Sequence, residues 1–237
     1  MRFSTAILVA LAAALTLAGC GKAYDDKAFG DRVHAYLMAH PEVIEEAVQA
    51  AQAKQQEKQL ADAKVAIAKN RQQLEHDPAD YVANPNGKVT VTEFYDYRCP
   101  HCVNMAPTVL SIIHDNPNVR FVFKEFPIFG AASDRAAEGA LLVKKRGGDY
   151  LGLYHDFMAT KGLNDAAIDQ ILQAHGVNVA DLANPATQVE AQAHLAAVKQ
   201  LAIVMGIDGT PAFIIGDTLI PGEDPDGLRA AIKQAGA

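Results

Sequence analysis

The stretch VTVTEFYDYRCPHC, residues 89–102, ends with Cys99 and Cys102, two cysteines separated by two residues. Residues 89–95 have the pattern of a strand, and residues 103–114 have the pattern of a helix. Backbone N–H groups and the positive end of the helix dipole favour an anion at a helix start. A thiolate is stabilised there, and the thiolate is the reactive form of cysteine. The spacing allows a disulfide that closes and reopens, so it predicts thiol–disulfide exchange.

The composition of the 237-residue chain predicts one sizeable domain with an extension, because 50% of its residues are hydrophobic. The formal net charge is −7, from 21 basic and 28 acidic residues. Aromatic residues make up 7% of the chain and tryptophan is absent. We expect no nucleic-acid partner, because the sequence has neither a basic cluster nor a stacking surface.

The N-terminal residues have the features of an export signal. Arg2 precedes an apolar run at 6–17, which is followed by the tetrapeptide LAGC ending at Cys20. A basic start, a short apolar run and small residues are the order of a secretory signal. The run is too short to favour a transmembrane helix. The tetrapeptide resembles a bacterial lipobox, which implies removal of residues 1–19 and lipidation of Cys20. Plain secretion with an incidental cysteine is the alternative.

The number of cysteines indicates a redox role for the pair Cys99 and Cys102. The chain has three cysteines, Cys20, Cys99 and Cys102. If Cys20 carries lipid, no structural disulfide is left, and an exported protein lives where disulfides persist. We therefore expect a periplasmic or envelope protein that uses Cys99 and Cys102 for redox work. Gly21 is not the acidic residue that retains lipoproteins at the inner membrane of some bacteria, which favours the outer membrane.

The N-terminal region is predicted as a tether at 20–30 followed by a helical region at 31–84. Apolar residues recur every seven positions along it, at Ala53, Leu60, Ile67 and Leu74. A long helix cannot bury one narrow apolar stripe alone. We expect a homo-oligomer formed through residues 31–76, with packing of the stripe on the domain as the alternative. A dimer and a trimer fit the stripe equally well.

The remaining chain, residues 85–237, is predicted as an α/β domain that begins after the break at 84–87. Strand patterns at 89–95 and 119–125 flank the helix that carries the cysteines, which is the order of a parallel β-α-β unit. The predicted elements that follow are a helical block at about 131–206, an antiparallel hairpin at 212–220 and a closing helix at 226–235.

The runs EFYDYRCPHC, residues 93–102, and GTPAF, residues 209–213, resemble the DsbA-like disulfide oxidoreductases of the thioredoxin superfamily. The resemblance covers about 89–232 and implies a thioredoxin fold with the helical block as an insertion. The N-terminal helices resemble those of the longer, ScsC-like or lipidated members, in which such an extension joins protomers. The resemblance also implies a redox-active disulfide, with no cofactor and no metal.

The resemblance gives each residue of the CPHC tetrapeptide, Cys99-Pro100-His101-Cys102, a place in the reaction. Cys99 would be the exposed nucleophile with a lowered pKa, and Cys102 would be more buried and would resolve the mixed disulfide. His101 would donate a hydrogen bond to the Cys99 sulfur or place positive charge near it. A stabilised thiolate makes the disulfide more oxidising and makes Cys99 a good leaving group.

Three further residues are expected at the site. Pro211 would be the cis proline that faces the cysteines, since X-Pro bonds tolerate the cis form. Thr210 could then pair with an extended client strand. Glu93, six residues before Cys99, matches a buried acid of the family that would assist proton transfer to or from Cys102. A solvated carboxylate on the strand is the alternative for Glu93.

The predicted function is disulfide exchange with cysteine-containing exported proteins, with a membrane protein as redox partner. The helical arm favours an isomerase or reductase, because oligomers shield thiols from the oxidising machinery and present several sites to a misfolded client. A DsbA-type oxidase is the alternative. A Cu(I)-binding envelope chaperone belongs to a different class, and thiolates suit that ion. Half of a zinc site is disfavoured, because zinc prefers four ligands.

Overall fold

The structure is a computed structural model that describes residues 26–236. Contacts divide the chain into two compact units, with the division between Gln56 and Glu57. The predicted signal at 1–19 and the predicted lipidation site Cys20 lie outside the described residues. None of the described helices is long and apolar enough to span a membrane.

The N-terminal unit is helical. Helix α1 spans Asp26–Ala39 and begins inside the predicted tether, so residues 26–30 are helical. Helix α2 spans Glu42–Lys69 and follows Pro41, as expected for a proline beside a helix start. Helix α1 has no buried residue.

The second unit holds the end of α2 and a five-stranded sheet with helices on both faces. Its further helices are α3 (Arg71–Glu75), α4 (Pro100–Asp115), α5 (Ala131–Lys145), α6 (Tyr150–Ala159), α7 (Asp165–Ala174), α8 (Val179–Leu182), α9 (Pro185–Val204) and α10 (Pro225–Gln234). Its strands are β1 (Tyr81–Ala83), β2 (Val89–Tyr95), β3 (Val119–Glu125), β4 (Ala212–Ile215) and β5 (Thr218–Pro221). Within residues 26–236 the strand order is β1-β3-β2-β4-β5. The expected thioredoxin fold is confirmed, with α5 to α9 as the helical insertion.

The central strand β2 places the active-site segments side by side. It pairs in parallel with β3 and antiparallel with β4, with Phe94 opposite Ala212. Antiparallel pairing puts the end of β2 and the start of β4 at the same edge of the sheet. The CPHC segment follows β2 and the Thr210–Pro211 segment precedes β4, so the sheet brings both segments to one place.

Strand β1 was not expected, because residues 31–84 were predicted as a helical region and no strand was predicted before residue 89. Tyr81–Ala83 pairs antiparallel with β3, with Val82 opposite Val122. A three-residue strand is too short to show a clear alternation of apolar and polar residues, so the sequence did not indicate it. Residues 81–83 thus belong to the sheet of the second unit.

The heptad stripe divides into two parts with different surroundings. Ile67 and Leu74 are fully buried in a core cluster with Phe94 of β2 and Val198 of α9. Leu60 is 49% exposed, and Ala53 is also exposed. Packing on the domain, the alternative in the sequence analysis, therefore accounts for the second half of the stripe.

A buried ion pair ties the segment between α3 and β1 to strand β3. Lys124 contacts the carboxylate of Asp80, and both side chains are excluded from solvent. Lys124 also donates to the carbonyl of Gln73, and Arg120 donates to the carbonyl of Glu75 at 2.6 Å. Buried charges persist where they are paired and hydrogen-bonded, so these contacts fix the chain that enters the sheet.

We expect Asp80→Ala to lower the free energy of unfolding by about 3–5 kcal/mol, because it leaves Lys124 buried without its counter-charge. Urea denaturation monitored by circular dichroism measures this change. Asp62→Ala is the control, since Asp62 pairs with Lys58 on an exposed helix surface. That variant should change stability by roughly 0–1 kcal/mol, and equal losses in the two variants would contradict the argument.

Candidate active site

Cys99 is the N-cap residue of α4, with extended backbone angles of φ −73° and ψ 121°. Its carbonyl accepts from the N–H of Val103 at 3.0 Å, which closes the first helical turn. Pro100 fits the first helical position because the N–H that it lacks is unpaired there in any helix. The first free helical N–H groups are therefore those of His101 and Cys102, beside the Cys99 sulfur.

The surroundings of Cys99 lower the pKa of its thiol to about 5. A hydrogen bond from the Cys102 side chain contributes most, and burial opposes the shift. The backbone N–H groups of Cys102 and His101 lower the pKa further. At neutral pH the Cys99 sulfur is thus an anion held by several donors.

Cys99 is only 2% exposed, so the expectation of an exposed nucleophile is wrong. The covering group is the Thr210 segment, whose carbonyl oxygen lies 3.2 Å from the Cys99 sulfur. The Thr210–Pro211 peptide bond is cis. The Pro211 carbonyl accepts from the N–H of Gly222 at 2.8 Å, which joins this segment to the loop after β5.

Cys102 has the opposite properties. It is fully buried, and burial is the main reason that the pKa of its thiol lies far above the ordinary value. Its hydrogen bond to Cys99 and the charge of Glu93 raise that pKa further. Both thiols are free in the structure. The pair therefore combines one thiolate with one protonated thiol, and a thiolate is the species that attacks a disulfide.

Glu93 lies beneath the cysteines with no access to solvent. Neither of its carboxyl oxygens has a hydrogen-bond partner among the described residues. Burial, followed by the nearby charge of Glu125, raises the pKa of Glu93 well above its ordinary value. The alternative of a solvated strand carboxylate is thus wrong, and burial favours the neutral form of this carboxyl group.

Glu125 and three tyrosines form a second buried group that the sequence analysis missed. One oxygen of Glu125 accepts from the hydroxyls of Tyr95 at 2.6 Å, Tyr97 at 2.9 Å and Tyr150 at 2.6 Å. Burial raises the pKa of Glu125 to about 8, although the three hydroxyls oppose the shift. Tyr150 comes from the helical insertion, so no local motif marks this cluster.

The ring of His101 contacts Glu223, a residue of the loop after β5. Its Nδ1 lies 2.8 Å from a carboxylate oxygen of Glu223, and Asn104 donates to the same oxygen at 3.1 Å. Glu223, followed by the charge of Cys99, raises the pKa of His101. Glu223 is 122 residues away in sequence, so no spacing could have indicated it.

Asp96 organises the loop beside the cysteines. One of its oxygens accepts from the N–H of Arg98 at 2.7 Å and the hydroxyl of Ser133 at 2.9 Å. The other accepts from the N–H groups of Ile128 at 2.7 Å and Phe129 at 3.0 Å. The loop is fixed by these bonds, and it exposes the side chains of Ile128 and Phe129 next to the site.

A cavity of about 620 Å³ opens beside Pro100, between α4 and the turn that follows α6. Its apolar lining includes Val103, Leu110, Met158 and Leu163. The cavity is large enough for apolar side chains of a polypeptide that approaches Cys99.

Within residues 26–236, no group of three or more histidine, cysteine, aspartate or glutamate side chains is arranged to hold a metal ion. A thioredoxin fold that carries a thiolate and a buried thiol at a helix start defines a thiol–disulfide oxidoreductase. Residues 90–233 match the family model of the DSBA-like thioredoxin domain. The chain therefore belongs to the DsbA-like family of thiol–disulfide oxidoreductases, whose members use a redox-active disulfide rather than a bound cofactor. Residues 25–58 match the model of the copper resistance protein ScsC N-terminal domain.

Solved structures give the same result. The chain is 30% identical to ScsC of Proteus mirabilis in a transitional conformation, covering 90% of this chain and 97% of that one, with a TM-score of 0.66. It is 27% identical to the thiol-disulfide exchange protein alpha-DsbA2 of Wolbachia pipientis, covering 73% and 95%, with a TM-score of 0.65. The expected family and class of enzyme are confirmed.

One curated relative is much longer than this chain. The Na⁺/H⁺ antiporter NhaA 1 of Salinispora arenicola is 33% identical over 67 residues, which are 26% of this chain and 10% of that protein. The chain thus spans about a tenth of the length of that relative.

We expect Cys102→Ala to raise the pKa of the Cys99 thiol, because it removes the hydrogen bond that lowers this pKa most. Cys102→Ser keeps a donor, so the rise should be smaller. The pH dependence of alkylation of Cys99, in protein that begins at residue 21, measures both changes. Equal pKa values for Cys99 in the two variants and the parent protein would contradict this account.

We expect Glu93→Gln to stabilise the protein at pH 8 and to change little at pH 4. The raised pKa of Glu93 contributes stability below the unfolded value, and this contribution is lost as pH rises toward the folded value. Glutamine has no such dependence, so the variant should gain on the parent as pH increases. Urea denaturation at both pH values tests this, and a stability difference independent of pH would refute it.

Proposed function

We propose that the protein is an exported thiol–disulfide oxidoreductase whose Cys99–Cys102 pair exchanges disulfides with cysteines of other exported proteins, mainly as an isomerase or reductase. The opposite pKa shifts of the two thiols carry this proposal. The Cys99 thiol has its pKa lowered to about 5, and the Cys102 thiol has its pKa raised. Only Cys99 is ionised at neutral pH, so attack on a client begins at one defined sulfur.

The exchange follows from this asymmetry. The Cys99 thiolate attacks a client disulfide, one client sulfur leaves as a thiolate, and a mixed disulfide forms on Cys99. In isomerisation, a client thiolate displaces Cys99 and no net electrons are transferred. In reduction, Cys102 loses its proton and attacks Cys99, which releases the second client thiolate and leaves the Cys99–Cys102 disulfide. The low pKa of Cys99 makes it a good leaving group in isomerisation, where a client thiolate displaces it; in reduction the leaving group is the client thiolate.

We assign to Glu93 the role of accepting the proton of the Cys102 thiol and returning it. Its side chain is buried beside Cys102 and acts electrostatically on that thiol. With both carboxyl oxygens free of hydrogen-bond partners among residues 26–236, it has room to accept or return a proton. Thr210 and Pro211 are assigned to client binding, because they cover the Cys99 sulfur and a client must displace or pair with that segment.

The N-terminal helices support the isomerase over the oxidase. Val33, Tyr36, Ile44 and Val48 leave 39–56% of their surface exposed, which is unusual for large apolar side chains in such number. Residues 25–58 match the copper resistance protein ScsC N-terminal domain, and the resemblance to the longer ScsC-like members implies that such an extension joins protomers. We assign homo-oligomerisation to the part of 31–76 that precedes Ile67, since Ile67 and Leu74 are buried within the second unit.

The envelope is the proposed location, with lipid on Cys20 and the outer membrane favoured by Gly21. The support is the signal-like order of residues 1–20. A membrane protein would exchange electrons with the Cys99–Cys102 pair, reducing it for isomerisation or reoxidising it for oxidation. A DsbA-type oxidase remains the alternative direction for the same pair.

A Cu(I)-binding envelope chaperone is the second candidate function. The relevant observation is the match to a domain family described as copper resistance protein ScsC N-terminal domain. The adjacent sulfurs of Cys99 and Cys102 would be the ligands, and thiolates suit Cu(I). Tight stoichiometric Cu(I) binding by a protein without exchange activity would favour this function.

Removal of residues 21–56 tests the isomerase assignment. The cut falls between the two units and keeps Ile67 and Leu74, which the core needs. We expect the shortened protein to be a monomer by light scattering and to lose most refolding of scrambled ribonuclease. It should still oxidise a reduced dithiol peptide, because the cysteine pair is intact.

Two results would overturn parts of the proposal. If full-length and shortened proteins have the same mass per particle, the oligomer is wrong. If Cys102→Ala captures no client protein as a mixed disulfide in cells, with Cys99→Ala as the control, the exchange activity is wrong.

A further inference from the structure

Glu223 is placed against the amino end of α4 by two side-chain contacts. One carboxylate oxygen accepts from Asn104 at 3.1 Å and lies 2.8 Å from Nδ1 of His101. The two partners are three residues apart on α4, so they lie on one face of the helix. The carboxylate therefore spans the first turn of the active-site helix, and a single side chain fixes the ring of His101.

The backbone around Glu223 is also fixed. The N–H of the preceding residue, Gly222, donates to the Pro211 carbonyl at 2.8 Å. The following residue, Asp224, caps α10 by accepting from the N–H of Gly227 at 2.8 Å. Glu223 thus stands between the cis-proline segment and the start of α10, in a loop with an anchored residue on each side.

We propose that Glu223 is a positioning residue that holds His101 as an imidazolium beside Cys99 in both the dithiol and the disulfide state. Glu223 would act through His101 and need not touch a client. This inference rests on the exchange function proposed above, because it concerns the charge next to the Cys99 sulfur.

Two negatively charged groups near His101 affect the pKa of its ring, and Glu223 is one of them. The carboxylate of Glu223 comes from the loop after β5, and the Cys99 thiolate comes from the N-cap of α4; both raise the pKa of His101. Arg98 is near in sequence, but its guanidinium donates to the Phe129 carbonyl at 2.8 Å. The His101 side chain is 65% exposed, so solvent weakens each effect.

The two negative charges that raise the pKa of His101 are not present in the same redox states of the protein. The Cys99 thiolate exists only in the dithiol state, because oxidation converts it to a disulfide sulfur. The carboxylate of Glu223 is present in both states, and His101 lowers its pKa. Without Glu223, His101 would gain its proton on reduction and lose it on oxidation. Reduction would then take up this second proton in addition to the proton of the Cys102 thiol.

The proton count of the equilibrium with glutathione follows from this difference. With His101 charged throughout, one protein disulfide and two glutathione thiols give the Cys99 thiolate, the Cys102 thiol, glutathione disulfide and one released proton. The equilibrium constant then rises about tenfold per pH unit near neutrality. If reduction also places a proton on His101, no net proton is released and the constant becomes nearly independent of pH.

The experiment compares full mature protein with Glu223→Gln, Glu223→Asp and Asp226→Asn. Asp226→Asn removes one negative charge from the exposed first turn of α10 and serves as the control. NMR titration of the His101 ring in the disulfide state needs no client and no activity. We expect Glu223→Gln to shift that titration to lower pH, Glu223→Asp to restore part of the shift, and Asp226→Asn to leave it unchanged.

The glutathione equilibrium of the same proteins gives the second readout. We expect the near-tenfold rise per pH unit in the parent protein and in Asp226→Asn, and a flatter dependence in Glu223→Gln. An unchanged His101 titration in Glu223→Gln would overturn the inference, even if the protein exchanges disulfides normally. A shifted titration in a protein without exchange activity would support the role of Glu223 and refute the proposed function instead.

Discussion

A single charge, the thiolate of Cys99, determines how this end of the molecule is built. The residue is almost inaccessible to water, and burial alone would keep its thiol protonated. The anion persists because the Cys102 side chain and two backbone N–H groups of α4 donate to it. The Thr210 segment, which covers the sulfur, is distant in sequence, and the antiparallel pairing of β2 with β4 brings it to the start of α4. The fold thus supplies in fixed positions the hydrogen bonds that water would supply to an exposed thiolate.

Two buried carboxyl groups, those of Glu93 and Glu125, lower the stability of the folded state as pH rises. Glu93 is buried without a partner among the described residues, and Glu125 keeps a pKa of about 8 despite three tyrosine hydroxyls. A buried carboxyl group that must stay neutral costs stability as pH rises. Features of this kind are retained at functional sites more often than elsewhere. The two acids lie on the adjacent paired strands β2 and β3, and the proton transfer proposed for Glu93 would account for a buried acid at this site.

The sequence predicted the elements that have strong local signals and missed those that depend on distant partners. The bounds of β2 and β3, the helix with the cysteines and the closing hairpin all follow from periodicity and turn residues. Strand β1 was missed because three residues show no period. Glu223, Asn104 and the Glu125–tyrosine cluster were missed because tertiary contacts create them. The burial of Cys99 was also mispredicted, since the Thr210 segment that covers it lies 111 residues away.

The heptad stripe shows that one sequence pattern can have two different surroundings. Its spacing is constant from Ala53 to Leu74, yet Ile67 and Leu74 enter the core cluster of Phe94 while Leu60 stays exposed. The periodicity states only that one face is apolar, and the partner of that face depends on what the chain places nearby. Where strand β2 and helix α9 are within reach, the face is satisfied internally. Where they are not, as at Leu60, the same face stays exposed, and this exposed part of the stripe is the basis of the proposed self-association.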